Sequence, residues 1–405
     1  MFAAIGLTSL PTMIGATSVA YAAETMRPEI GKPLQEAQSL IKAKKYKEAL
    51  AKIREADNAG GKTPNEAYTI ERMRASAAQS AGDHATAAKA FETVVESGRL
   101  PAGERLTYIT AIISNYYQMR DYAKVNTWLE RYFKEGGNDA TMRELQLQSY
   151  FLAGNYKVAG QEAQAAALAA EKAGRAPSET QLQMWANCAS KLNDKTGYVA
   201  AIEKLVAYYP KKEYWADLLN RVQGKPGYSD RLSLDLFRLK LAAGQLTKTA
   251  DYMEMAQLSL QAGFPAEAMK VIDQGYKSGA LGTGADAERH KRLKDLAAKN
   301  LAESEKSIGQ SETEANASKE GTELLKVGYA YVTMGKADKG LNLMAQGIKK
   351  GSLKYPEDAK LHLGLAQMQA GKKSEAVQTL KSVHGNDGTA DLARYWVLLS
   401  NRSAT

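Results

Sequence analysis

From about Met26 onward, apolar residues recur at spacings of three and four, and no segment sustains an alternating apolar–polar pattern. That spacing gathers the apolar groups on one stripe of an α-helix, so the pattern predicts a succession of amphipathic helices and no sheet. Short turns with Gly, Asn or Asp punctuate the helices, each followed a few places on by a small residue. The clearest are GDHATAAKAF at 82–91, RDYAKVNTWL at 120–129 and GNYKVAGQEA at 154–163. GFPAEAMKVI at 263–272, GKADKGLNLM at 335–344 and GKKSEAVQTL at 371–380 repeat the theme, and KKYKEA at 44–49 is a weaker first copy.

The small residue serves as a register mark: Ala49, Ala87, Val125, Ala159, Tyr198, Ala268, Gly340 and Ala376. Successive gaps are 38, 38, 34, 39, 70, 72 and 36 residues. The two long gaps are about twice the others, so each is expected to hide one degenerate unit. A period in this range with helix–turn–helix content is the signature of stacked helical hairpins. The expectation is an all-α solenoid of about ten helix pairs.

The residues at these places resemble the tetratricopeptide repeat family. Gly328, Tyr331, Gly335 and Gly347 fit one unit of that family. Leu363, Gly364, Gly371 and Ala376 fit the next, and Tyr150, Gly154, Asn155, Tyr156, Ala159 and Ala166 fit another. Small residues let two helices cross closely, and the turn glycine ends a helix without a Cβ penalty. Val125 and Tyr198 depart from the pattern, and Trp185 stands one place early. The resemblance implies a right-handed superhelix whose first helices line a concave groove. It directs Arg72, Tyr117, Gln148, Phe151, Asn187, Gln257, Tyr329 and Met368 toward that groove.

Two stretches break the regularity. Residues 208–228 carry two prolines around one short helix. Residues 285–319 run from a charged helix into SIGQSETEANASKE, which reads as a polar loop or a weakly packed helical turn. The expected organisation is an N-terminal array over 23–305, a polar linker at 306–319 and C-terminal repeats over 320–405. The last helix, DLARYWVLLSNR at 391–402, is expected to cap the stack, with Tyr395 and Trp396 packed inside it.

Residues 1–22 carry no charge and end in Ala20-Tyr21-Ala22, the small-x-small pattern of a signal peptidase site. This predicts a cleavable signal peptide, cut near Ala22/Ala23, and a periplasmic protein. The competing reading is an N-terminal hydrophobic anchor, which Pro11 and the interrupting glycines disfavour. No later stretch is apolar enough for an integral membrane segment.

Composition narrows the chemistry. Apolar residues at 44% and charged residues at 24% exclude wholesale disorder. A single cysteine excludes a disulfide within the chain and any cysteine-clustered metal site. Cys188 lies within a predicted helix and reads as a buried structural thiol. His84 takes a turn position where packing is the default. His362 falls on the inner face by repeat register, where it either contacts a ligand or is bonded locally. No nucleotide loop, nucleophile elbow or metal-ligand spacing occurs, so no enzyme and no cofactor is expected. The net charge of +9 is spread thinly, with 11 basic and 8 acidic residues over 181–260 and 12 and 8 over 320–405. That distribution lacks the dense basic stripe of a nucleic-acid groove.

The expected function is a non-catalytic scaffold in the cell envelope that binds a peptide or helix of a partner protein. Segments such as KKEYWADLL and FPAEAMKVIDQGYKSGAL are similar to repeat proteins of TonB-type systems. An adaptor role in envelope transport, or an accessory role in cell-wall metabolism, therefore stays open.

Overall fold

A computed structural model describes residues 26–401. The expected signal peptide and its cleavage site lie outside the described residues. Twenty α-helices and one 3-10 turn make up the secondary structure of the described residues, with no strand. The helices are α1 (Pro28–Lys42), α2 (Tyr46–Asp57), α3 (Pro64–Ala81), α4 (His84–Glu96), α5 (Ala102–Gln118), α6 (Tyr122–Lys134) and α7 (Ala140–Leu152). They continue with α8 (Tyr156–Lys172), α9 (Glu179–Lys191), α10 (Lys195–Tyr208), α11 (Lys212–Gln223), α12 (Ser233–Ala242), α13 (Thr249–Gln261) and α14 (Pro265–Lys277). The last six are α15 (Ala287–Ala317), α16 (Gly321–Thr333), α17 (Ala337–Lys350), α18 (Pro356–Gln369), α19 (Lys373–Lys381) and α20 (Thr389–Ser400). Consecutive helices pack as pairs, and the all-α repeat architecture expected from the periodicity is the one observed.

Local chemistry explains where the helices start and turn. Thr63 caps α3 through a reciprocal pair: its hydroxyl accepts from the Glu66 amide at 3.2 Å, and its own amide donates to Glu66 Oε2 at 2.8 Å. Asp83, Asp121 and Asp194 cap α4, α6 and α10 by accepting from the amide three residues on. Before each of these caps the chain turns through a left-handed residue, at φ of 73° for Gly82, 58° for Arg120 and 55° for Asn193. Glycine takes that conformation freely, whereas Arg120 adopts it against its Cβ. Seven of the eight register marks are buried, among them Ala49, Ala87, Val125 and Ala268. Tyr198 is the exception; it is half-buried and donates to Asp217 at 2.6 Å.

The folded chain forms two compact units. One comprises residues up to 165 together with 187–193; the other comprises 166–186 and the chain from 194 onward. In the first unit, Glu92 of α4 accepts from the Tyr116 hydroxyl at 2.8 Å and the Trp128 indole at 2.9 Å, tying three helices across two repeats. In the second unit, α20 packs on α18 and α19 and also on α10 and α12. The end of the array therefore returns to helices nearly two hundred residues earlier in the sequence.

Two expectations are corrected. The 72-residue gap between Ala268 and Gly340 hides no degenerate hairpin; one unbroken helix of 31 residues, α15, occupies it. The same helix fills the expected polar linker as far as Ala317. Its sequence contains no proline and only Gly309 as a breaker, while Ala297, Ile308 and Ala315 are buried along one face. Its polar groups bond along the helix, as in the Gln310 amide to Glu314 at 2.9 Å. Lys350 then reaches the carbonyls of Asn316 and Ser318 at 2.8 and 2.6 Å, satisfying the acceptors left at the helix end.

Candidate functional site

Residues of α12, α13, α14, α16, α17, α18 and α20 line an open cavity of about 450 Å³ in the second unit. Its walls are mostly apolar, with Leu241, Met255, Val332, Leu365, Met368 and the ring of Trp396. Arg238, Glu267 and Tyr329 of its lining belong to a polar network. Arg238 donates to both oxygens of Glu267 at 2.7 Å each and to Asp235 Oδ1 at 2.7 Å. His362 Nε2 lies 3.0 and 3.1 Å from the two oxygens of Asp235. The Arg238 guanidinium stands 4.7 Å from the ring centre of Tyr329, which meets Phe264 edge to face at 5.0 Å. The Tyr329 hydroxyl accepts from the Gln369 amide at 3.3 Å.

The electrostatics follow from this pairing. Burial opposes the Asp235 charge, but His362 and Arg238 outweigh it and hold the carboxyl at about 2. Burial also opposes the Arg238 charge, yet Glu267 and Asp235 raise its pKa well above the ordinary value. Burial pushes the Tyr329 hydroxyl up. Each ionised group of the network is committed to another, so the network is a structural brace. Among the described residues, no three His, Cys, Asp or Glu side chains are grouped to hold a metal.

Of the eight residues the sequence directs to a groove, Tyr329 and Met368 meet at this cavity. Gln257 is exposed on α13 and does not line it. The other five belong to the first unit. There Arg72 bonds the Tyr108 hydroxyl at 2.9 Å and Glu104 at 3.2 Å, linking neighbouring repeats. Tyr117 and Phe151 each meet an aromatic of the following helix, Tyr122 at 5.8 Å and Tyr156 at 5.1 Å. Asn187 is half-buried on α9, and the buried Gln148 Oε1 has no hydrogen-bond partner. Cys188 is buried, and desolvation pushes its thiol up to about 11. His84 bonds Asn115 at 2.9 Å.

Asp235, Arg238, Glu267 and Lys270 escaped the sequence reading. A signal was present: Asp235 and Arg238 stand three apart in SLDLFRLKLA, surrounded by apolar residues on every side of the helix. A charged pair in that setting is buried and needs a partner nearby.

A family pattern described as tetratricopeptide repeat matches residues 358–387, which span α18 and α19. No curated protein sequence matches the chain. Among solved structures, a tetratricopeptide repeat protein from Parabacteroides merdae is similar at 11% identity over 84% of this chain and 99% of its own, with a TM-score of 0.28. Yeast Tom70 is similar at 11% identity over 92% and 95%, with a TM-score of 0.25. The TPR2AB domain of yeast Sti1, solved in complex with pHSP90, is similar at 10% identity over 74% and 99%, again with a TM-score of 0.25. Scores this low add nothing to the architecture described above. Among the described residues, no helix is long and apolar enough to cross a membrane. The matched unit contributes Leu365, Met368 and Gln369 to the cavity, so the chain is a helical repeat protein in which residues 358–387 match the tetratricopeptide repeat pattern.

Proposed function

We propose that the protein is a non-catalytic scaffold of the cell envelope that holds a segment of a partner protein against the inner face of its repeats. The observation that carries this reading is the concave, largely apolar cavity built in part by the matched repeat. Tetratricopeptide repeats generally serve protein–protein interaction, and an apolar recess with a few fixed polar groups suits an anchoring side chain. The envelope location rests on the uncharged segment 1–22 and its Ala-Tyr-Ala site.

The test places a photo-crosslinking amino acid at Met368 and, as a control, at the exposed Lys349. A discrete partner captured from envelope extract by the Met368 variant alone supports the proposal. Equal capture from both positions would move the contact elsewhere. N-terminal sequencing of protein recovered from the periplasm tests the location, with Ala23 as the expected first residue.

A further inference from the structure

Among the described residues, four large apolar side chains of the first unit are exposed: Met119 at 43%, Leu152 at 43%, Val158 at 40% and Leu192 at 48%. All four stand on or beside the turns that follow α5, α7 and α9. Ser149 Oγ donates to the Tyr122 carbonyl at 3.2 Å, which brings the end of α7 beside the start of α6. A Cβ on Gly160 would meet the Cys188 Cβ at 3.0 Å, so α8 and α9 are joined in the same way. The turns therefore form a row along one edge, with successive tips roughly 16–20 Å apart, two helix spacings. The hairpin itself needs no large apolar group at this place. Met119 caps α5, whereas Ala43, Ala262 and Ala370 hold the same cap position after α1, α13 and α18.

The same edge is basic. Residues 42–48, 81–85, 118–124, 152–158 and 190–193, which carry its five turns, include eight lysines and arginines and three carboxylates. The turns of the opposite edge, at 57–63, 96–101 and 134–139, include three and four. Asp83 and Asp121 are committed as helix caps. Arg120, Lys157 and Lys191 are exposed and form no ion pair among the described residues. Two of the cations sit where the backbone resists them. Lys44 and Arg120 take φ of 59° and 58°, a left-handed position that Gly82, Gly154, Gly263, Gly335 and Gly371 fill in other hairpins. Folding alone favours glycine there, so the charge is what sets these two turns apart.

The apolar groups stand singly on separate turns, too far apart to share one pocket. A rigid protein partner would need a matching recess at every step of the row. A fluid bilayer accepts isolated apolar side chains wherever they fall, and its phosphates take unpaired Lys and Arg. We propose that this edge of the first unit docks on the surface of a bilayer containing anionic phospholipid. Met119, Leu152, Val158 and Leu192 enter the headgroup layer, and the neighbouring cations lie on the phosphates.

This inference stands apart from the partner reading, because it requires no second protein. The test attaches a nitrobenzoxadiazole fluorophore to the full chain at Leu152→Cys, with Arg99→Cys on the opposite edge as the control. Cys188 is buried and escapes labelling. Phosphatidylcholine vesicles with and without phosphatidylglycerol are titrated in. The Leu152 probe is expected to shift to the blue and saturate on the anionic vesicles, with at least tenfold weaker binding to the zwitterionic ones. The Arg99 probe should not respond. Lys44→Gly with Arg120→Gly should weaken binding about tenfold. Glycine suits both left-handed positions, so this variant keeps the fold. Met119→Ser with Leu192→Ser should weaken binding about tenfold with the charge intact. Arg99→Gln with Lys134→Gln removes the same charge from the opposite edge and should alter binding less than about twofold. No shift at Leu152, equal shifts at both probes, equal affinity for the two vesicles, or unchanged affinity in either of the first two variants overturns the proposal. A Leu152 probe that ignores vesicles but shifts with polyglutamate would assign the edge to an acidic protein instead. Partner crosslinking at Met368 without vesicle binding would leave the scaffold reading standing and remove this one.

Discussion

Gly328 of α16 and Gly340 of α17 face each other so closely that neither can carry a side chain. A Cβ on Gly328 would lie 2.7 Å from the Gly340 carbonyl oxygen, and one on Gly340 would lie 2.5 Å from the Gly328 oxygen. Gly321 and Gly347 repeat the relationship one heptad away on each helix, so the hairpin closes along two glycine contacts. Gly328→Ala is therefore expected to destabilise the second unit by about 1–3 kcal/mol. Gly364→Leu should behave alike, since its Cβ would meet the Leu380 side chain at 2.6 Å. Gly309→Ala is the control. It sits in α15 with nothing within 4 Å of the added atom, and should stabilise by roughly 0.5–1 kcal/mol. Chemical denaturation of the three variants decides the matter. An unchanged midpoint for Gly328→Ala would mean the two helices can part at little cost.

The Arg238 network makes a second prediction, because its ions are buried together. Removing the guanidinium leaves Glu267 charged without its partner and Asp235 with His362 alone, which costs about 3–5 kcal/mol. Arg238→Met should show that loss, since both Asp235 and Glu267 depend on the guanidinium. Denaturant unfolding of the variant measures it. A loss below about 1 kcal/mol would mean that water reaches the network.

The contrast between these two sites explains what the sequence made legible. Glycines and alanines at hairpin crossings announce themselves, because the close approach forbids any larger residue, and the repeat spacing places them. The register marks at Ala49, Ala87 and Ala268 were readable for that reason. Arg238 and Glu267 belong to different hairpins, 29 residues apart, and nothing local says that their side chains meet. His362 and Asp235 are separated by 127 residues. Repeat register could put His362 on an inner face, but only the return of the C-terminal helices to α12 supplies its carboxylate. At the C-terminal part of α15, from Lys306 onward, the difference has the opposite cause. Its polar composition resembled a linker, yet a helix with a narrow buried stripe needs few apolar residues to persist.

Asp235 gives the expected response to acid. Its carboxyl sits at about 2 in the fold against an ordinary value of 3.8. The stabilisation it contributes is therefore complete above pH ~4 and disappears as the pH falls through 2. Asp387 shares the direction: burial opposes its charge, and the bonds from Arg231 and Thr389 outweigh burial and hold it at about 2. Asp235→Asn is expected to be less stable than the unaltered protein at pH 7, with the gap narrowing steadily between pH 5 and 2. Denaturant titrations at each pH provide the comparison. A gap independent of pH would show that the loss arises from geometry and not from the charge.

The seam that returns the C-terminus to the start of the second unit rests on ion pairs, and these can be cut singly. Arg231 bonds both oxygens of Asp358 at 2.8 and 2.9 Å and Asp387 at 2.6 Å, and it lies over the Tyr355 ring at 4.5 Å. Lys225 reaches Asp391 at 2.8 Å, and Arg394 reaches Glu203 at 2.9 Å. Arg231 carries the largest share, since both of its carboxylates, Asp358 and Asp387, lie across the seam, whereas Arg394 spends one of its two bonds on Asp391 of its own helix. Hydrogen bonds to charged groups contribute roughly 1.5–3 kcal/mol each when partly buried. Arg231→Ala should thus speed amide exchange in α20 by about ten- to a hundredfold, through local opening and not global unfolding. Exchange in α16 and α17 should stay as it was, because their contact is glycine packing remote from the seam. Added salt should imitate the variant weakly, as Arg231 and Asp387 are partly exposed and screened whereas Arg238 and Glu267 are not. Hydrogen exchange read by mass spectrometry resolves these helices separately. Unchanged protection in α20 would assign the seam to apolar packing, with the Tyr228 ring against Gly388 as its centre.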